Sequence, residues 1–96
     1  MGGGYFYILA NRKNGALYAG VTKDIRHRIV QHRKRAGSTH AKKYDIYRLV
    51  YVEEAPTILD AIAREKTVKK WRRPWKVRLI EATNPDWRDL FFDLNR

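Results

Sequence analysis

Two short, aromatic, β-favouring runs flank an Asn-Gly pair near the start of the chain: Tyr5-Phe6-Tyr7-Ile8-Leu9-Ala10, then Asn11-Arg12-Lys13-Asn14-Gly15, then Ala16-Leu17-Tyr18-Ala19-Gly20-Val21. Asn-Gly tolerates the positive φ that a tight reversal needs, so the pattern predicts an opening β-hairpin. Thr22 or Asp24 can cap a helix from Ile25 to about Lys34, with Ile25, Ile29 and Val30 forming its apolar stripe. Ala36-Gly37-Ser38-Thr39 reads as a loop, and the β-branched and aromatic stretch Ile46–Val52 as a third strand closed by Pro56. Thr57 and Asp60 resemble a capping box with a shortened acid, opening the longest helix, Ile58–Trp71. Arg72-Arg73-Pro74 interrupts that pattern, and Trp75–Glu81 resumes it with Val77 and Ile80 as apolar anchors. The tail from Asn84-Pro85-Asp86-Trp87 is expected to fold back over the sheet. The order is β-β-α-β-α-α, an α/β chain of the α+β type: a flexible leader over residues 1–4, then one domain over 5–96.

Ninety-six residues suffice for a single core. The chain carries 21 Lys+Arg against 10 Asp+Glu, a net +11, yet 44% of its residues are hydrophobic. That is too apolar for a disordered basic tail, so the charge sits on a folded scaffold and points first to nucleic acid and second to an anionic membrane surface. No apolar run reaches the ~18–20 residues of a membrane span, and no cysteine is present to make a disulfide, a thiolate zinc site or a nucleophile. The expectation is a cytoplasmic protein with no membrane partner. The charge is also segregated. Residues 22–43 hold eight Lys/Arg against one Asp, residues 64–78 eight against one Glu, and residues 79–95 one against four acids. Solvated helix faces are the plain reading of any one basic run, but two such runs of one sign predict a phosphate-binding face. Its candidates are Lys23, Arg26, Arg33, Lys34, Arg35, Lys42 and Lys43 in the first run, and Lys69, Lys70, Arg72 and Arg73 in the second.

Three patterns go beyond binding. Arg28 and His32 stand four residues apart, on one face of the first helix, where they are either a surface pair or a phosphate ligand beside a proton carrier. Glu65 is the only acid between Asp60 and Glu81 and falls within the arc of Ile58, Ala61 and Ile62. An inward carboxylate is costly unless paired, either with one of the arginines or with a hard cation such as magnesium at a phosphodiester. Tyr7 and Tyr18 are brought side by side by the hairpin; such pairs are ordinarily core packing, but a phenol near arginines and a metal can act as a base.

Taken together, Tyr5-Phe6-Tyr7, Tyr18-Ala19-Gly20, the segment Thr22–Arg28, Gln31-His32, Ala63-Arg64-Glu65-Lys66 and Lys69-Lys70-Trp71-Arg72-Arg73 resemble the GIY-YIG nuclease family. The match is best with its small stand-alone bacterial members, related to the N-terminal domain of the excinuclease C subunit. The resemblance runs from Tyr5 through the Asn84–Trp87 tail. It implies a three-stranded antiparallel sheet flanked by helices and metal-dependent phosphodiester cleavage, with Mg²⁺ or Mn²⁺ as cofactor and DNA, branched or damaged forms included, as substrate. It implies Tyr7 as general base, Tyr18 as its orienting neighbour, Arg28 as phosphate stabiliser and His32 as its companion one turn later. Glu65 would be the metal ligand and Asn84 an accessory residue. Tyr5 and Phe6 replace the Gly and Ile of the first motif, and Ala19 the Ile of the second. Val21 stands where some members have a lysine, so activation of Tyr7 must rest on other cations. The rival readings are a non-catalytic module binding RNA or branched DNA, and a partner-binding protein anchored by Trp71, Trp75 and Trp87.

Overall fold

The structure, a computed structural model, describes residues 3–34 and 45–94. Its elements are β1 (Gly4–Ala10), β2 (Leu17–Thr22), α1 (Ile25–Arg33), β3 (Arg48–Ala55), α2 (Ile58–Lys69), α3 (Arg73–Thr83) and a closing 3₁₀ turn (Leu90–Asp93). The sheet is antiparallel with order β2-β1-β3, which puts the first aromatic run at its centre. The expected order β-β-α-β-α-α and the antiparallel sheet are both present.

Strand periodicity sorts the β1 side chains onto two faces. Phe6, Ile8 and Ala10 point into one cluster with Val50, Val68, Ile80 and Trp87, roofed by α2 and α3. Tyr7 and Leu9 point the other way, against Ile25 and Ile29 of α1, Ile46, Leu49 and the closing turn. The hairpin register sets Tyr7 opposite Gly20 and Leu9 opposite Tyr18. Asn14 takes the positive φ of the reversal (59°), and Arg73 of α3 donates from Nη2 to the carbonyls of Asn14 and Gly15 at 2.8 and 2.7 Å.

Four boundaries differ from expectation. Gly3 and Gly4 are not leader: the Gly3 N–H donates to the Ala55 carbonyl and Gly4 opens β1. The third strand lies further along than Ile46–Val52, because β3 pairs with β1 over its whole length, from Arg48 opposite Ala10 to Ala55 opposite Gly4. The long helix ends at Lys69, leaving Trp71 in the connection. Pro74 starts a helix instead of interrupting one: it sits in the first turn of α3, where an N–H has no helical partner anyway. The caps follow the reading, with Asp24 accepting from the His27 N–H and Thr57 from the Asp60 N–H, both at 3.1 Å. The Ala36–Thr39 loop lies outside the described residues.

The tail does return to the sheet. Asn84, only 3% exposed, donates from Nδ2 to the Val50 and Arg88 carbonyls and accepts at Oδ1 from the Arg88 N–H. Trp87, fully buried at a positive φ of 58°, donates from its indole to Glu81 at 2.7 Å. Asp89 then joins three elements by pairing with Arg33 of α1 and accepting from the Leu49 and Phe91 N–H groups. Among the described residues, no helix is long and apolar enough to cross a membrane.

Candidate active site

The hydroxyl of Tyr7 is the meeting point of three elements. Tyr7 is central in the sheet and wholly buried. Its hydroxyl lies 3.1 Å from His32 Nε2, and Arg28 donates to it from Nε at 3.3 Å; both partners come from α1. Arg28 and His32 thus share a face, as their spacing required, and it is the face turned to the sheet. Arg28 also donates from Nη1 to Gln31 at 3.2 Å, which fixes the guanidinium plane. Tyr18, from β2, completes the group: its ring meets the His32 ring edge to face at 5.3 Å, and the Tyr7 and His32 centroids are 5.9 Å apart.

Gly20 makes this geometry possible. A Cβ at that position would lie 2.6 Å from the Tyr7 hydroxyl and 2.7 Å from Cζ, closer than real contacts allow. Gly20 has no positive φ, so it is required for space and not for backbone conformation. Sequence reading placed Gly20 in the second motif without this role; the signal was its register opposite Tyr7.

Electrostatically, the resting cluster is a neutral phenol and a neutral imidazole beside a permanent cation. Burial pushes the Tyr7 phenol up, the Arg28 hydrogen bond and charge pull it back, and Tyr18 and Glu65 add smaller upward pushes. His32 is lowered to about 4, first by burial and then by the Arg28 charge. Its Nδ1 is buried with no hydrogen-bond partner among the described residues. Arg28 is raised, chiefly by its bond to Tyr7. With Val21 packed against the α2 side of the sheet, Arg28 is the cation that acts on the Tyr7 phenol.

Glu65 enters from α2, near enough for its charge to be felt at Tyr7. Its side chain is 14% exposed, and Lys69, one helical turn on, holds its Oε2 at 2.5 Å. An ion pair of the kind sequence reading considered exists, but it is made with a lysine of the same helix in place of an arginine, and it lies at the surface because the Lys69 side chain is 58% exposed. Beside it a cleft of about 400 Å³ is lined by Tyr18, Ala19, Val68, Lys69 and Lys76, among others. Among the described residues, no group of three or more His, Cys, Asp or Glu is placed to hold a metal. The protein side of a cation site here would therefore be a single carboxylate, leaving water and phosphate to supply the other oxygens of a hard ion, and Lys69 already holds one oxygen of that carboxylate.

A family model described as the GIY-YIG catalytic domain matches residues 3–78, a span that contains every member of this cluster. The chain belongs to the GIY-YIG family. It is 38% identical over 76 residues to a UPF0213 protein of Staphylococcus saprophyticus, covering 79% of this chain and 92% of that one. A UPF0213 protein of Staphylococcus aureus is 32% identical over 77 residues, covering 80% and 94%. The solution NMR structure of a UPF0213 protein from Bacillus halodurans superposes with a TM-score of 0.56 at 29% identity, over 90% of each chain. GIY-YIG domains form a nuclease family, generally metal-dependent and nucleic-acid-binding.

Within this GIY-YIG domain, Tyr7, Tyr18, Arg28 and His32 converge and Glu65 stands close by; Asn84 does not join them. Its amide is committed to β3 and the tail, which gives it a structural role. The basic residues also divide. Lys23, Lys34, Lys70 and Arg72 are exposed, as is Arg26, whose guanidinium lies 5.4 Å from the Phe91 ring centroid. Arg33 is tied to Asp89 and stacked on Phe91, Lys69 is held by Glu65, and Arg73 is pinned to the hairpin turn. Arg35, Lys42 and Lys43 lie outside the described residues. Gln31, which orients Arg28, was legible only as part of a motif.

Proposed function

We propose that this protein is an endonuclease that hydrolyses phosphodiester bonds in DNA with the help of one divalent cation, Mg²⁺ or Mn²⁺. The observation that carries the reading is the Tyr7 hydroxyl held between Arg28 and His32. Two hydrogen-bonding side chains concentrated on one buried hydroxyl serve no packing need that a phenylalanine would not meet.

In this reading a water molecule beside Tyr7 attacks phosphorus in line with the leaving 3′ oxygen. Tyr7 accepts the proton of that water as its own proton passes to His32 Nε2, so the phenol carries no net charge at the end of the step. His32 suits the role because it rests unprotonated, and the negative substrate phosphate offsets the cost of charging it. Arg28, fixed by Tyr7 and Gln31, neutralises charge building on the phosphoryl oxygens. Tyr18 holds the imidazole ring in place from the other side. Glu65 would hold the cation, which supplies charge neutralisation at the phosphate and the leaving oxygen. Exposed Lys23, Arg26, Lys34, Lys70 and Arg72 would bear the flanking backbone.

The test is cleavage of supercoiled and branched DNA by wild type and Arg28→Ala in Mg²⁺ or Mn²⁺. Loss of a fixed charge-stabilising group costs ~10²–10³ in rate. The variant should lose cleavage to that extent while DNA affinity falls modestly, since the other 20 of the 21 Lys+Arg remain. Cleavage by the variant at near wild-type rate contradicts the assignment.

A further inference from the structure

Away from the tyrosine cluster, the second basic run of the molecule, residues 64–78, carries an aromatic surface as well as its cations. Trp75 is 57% exposed. It belongs to a stripe on α3, Trp75, Arg78, Leu79 and Ala82, which with Trp71 walls a shallow open groove. Trp71 stands edge to face with Trp75 at 6.0 Å and 74°. Behind it the Arg64 guanidinium lies 5.4 Å from the Trp71 ring centroid. Arg64 is itself held by Glu53, which accepts from Arg64 Nε at 3.0 Å and from the Tyr51 hydroxyl at 2.6 Å. A chain of fixed contacts thus runs from the sheet to the groove, and the ring it presents to solvent is preorganised.

Exposing a tryptophan forfeits burial that so small a domain can ill spare, and this indole is not a lone surface residue but lies with Trp71, Leu79 and Ala82 along one groove, which marks a contact surface. Charge selects the partner. Arg78 lines the groove, Lys70 and Arg72 are exposed on either side of Trp71 in the chain, and residues 64–78 hold eight Lys/Arg against a single Glu. A second copy of the chain would bring the same positive field against itself, and a neutral apolar partner would bury cations without pairing them. A nucleic-acid strand supplies anions for the cations and a flat π-face for the indole.

We propose that the Trp71–Trp75 groove is a stacking subsite for an unpaired base, with the adjoining phosphates on Lys70, Arg72 and Arg78. This rests on the nucleic-acid reading above and adds to it that the bound strand is locally single-stranded at α3. The test compares the affinity, by fluorescence anisotropy, of a labelled oligothymidylate and a strand of equal length built from abasic spacers. Wild type should prefer the base-bearing strand by about 5- to 150-fold, the range that stacking on an aromatic side chain gives. That ratio should fall to near one in Trp75→Ala and be largely restored in Trp75→Phe. Because Trp75 is exposed, both variants should melt close to wild type. An unchanged ratio in Trp75→Ala overturns the subsite and leaves the nucleic-acid reading standing, since both strands still bind. Failure of wild type to bind either strand or duplex at moderate salt removes both. A concentration-dependent dimer that Trp75→Ala abolishes, with no base preference in wild type, means a second copy covers the groove and also overturns the proposal.

Discussion

Replacing Gly20 by alanine tests whether the hairpin register places the Tyr7 hydroxyl. The added Cβ would meet that oxygen at 2.6 Å, and ordinary contact begins at 3.4 Å, so the hydroxyl must retreat by about 0.8 Å. It has little room to do so, because Tyr7 is fully buried and its hydroxyl is already bonded to His32 at 3.1 Å and Arg28 at 3.3 Å. Overpacking of this kind costs about 1–3 kcal/mol, or roughly 4–8 °C in Tm per kcal/mol in a domain of this size. A displacement near 1 Å of a reacting group costs about 10²-fold in rate. Gly20→Ala should therefore stay folded, melt lower and cleave about a hundredfold more slowly. The decisive assay is a double-mutant cycle by urea denaturation with Tyr7→Leu, which removes both the hydroxyl and Cζ. In that background Gly20→Ala should cost little, since nothing remains for the new methyl group to strike. If it costs as much in the Tyr7→Leu background as in wild type, the destabilisation arises in the backbone and the steric account is wrong.

Two further outcomes follow from the buried polar groups. The unfolded chain protonates His32 near the ordinary histidine value of 6.5 and the native chain only near 4. The unfolded state therefore binds more protons between those values, and stability is whole above about pH 6.5 and drains away as the pH falls toward 4. Urea midpoints for His32→Gln should lose this part of the acid dependence; identical pH profiles for variant and wild type would show His32 to be solvated. Asn84→Ala should destabilise by about 1–3 kcal/mol, because it strands the Val50 and Arg88 carbonyls and the Arg88 N–H, while DNA cleavage at low temperature persists. Loss of cleavage in a folded Asn84→Ala would return that residue to the active site.

The sequence carried the architecture well wherever local chemistry decides it. The Asn14-Gly15 reversal, the Asp24 and Thr57 caps and the alternation along β1 each follow from steric or hydrogen-bonding preferences of a few residues. It carried less where tertiary pairing decides. The extent of β3 is set by the length of β1, and Pro74 could be placed in a first turn only once α2 was known to stop at Lys69. The same division holds for the site. The spacing of Arg28 and His32 put them on one face, and the face turned to Tyr7 came from the packing of α1 on the sheet. Asn84 was drawn toward the site by the family resemblance alone, which says nothing about whether its amide is already hydrogen-bonded. The tryptophans looked alike in sequence, yet Trp87 is core and Trp75 is surface, a difference made by the returning tail.

The central claim is that this GIY-YIG cluster hydrolyses DNA with a cation held at Glu65. A cleavage time course on supercoiled and branched DNA in Mg²⁺ or Mn²⁺ addresses it directly, with wild type and Glu65→Ala purified identically. Glu65 is half of an ion pair whose partner, Lys69, is itself exposed, so the variant should fold and bind DNA. Wild type should cleave, and cleavage should disappear in Glu65→Ala. Equal behaviour of the two proteins, whether both cut or neither does, contradicts the claim.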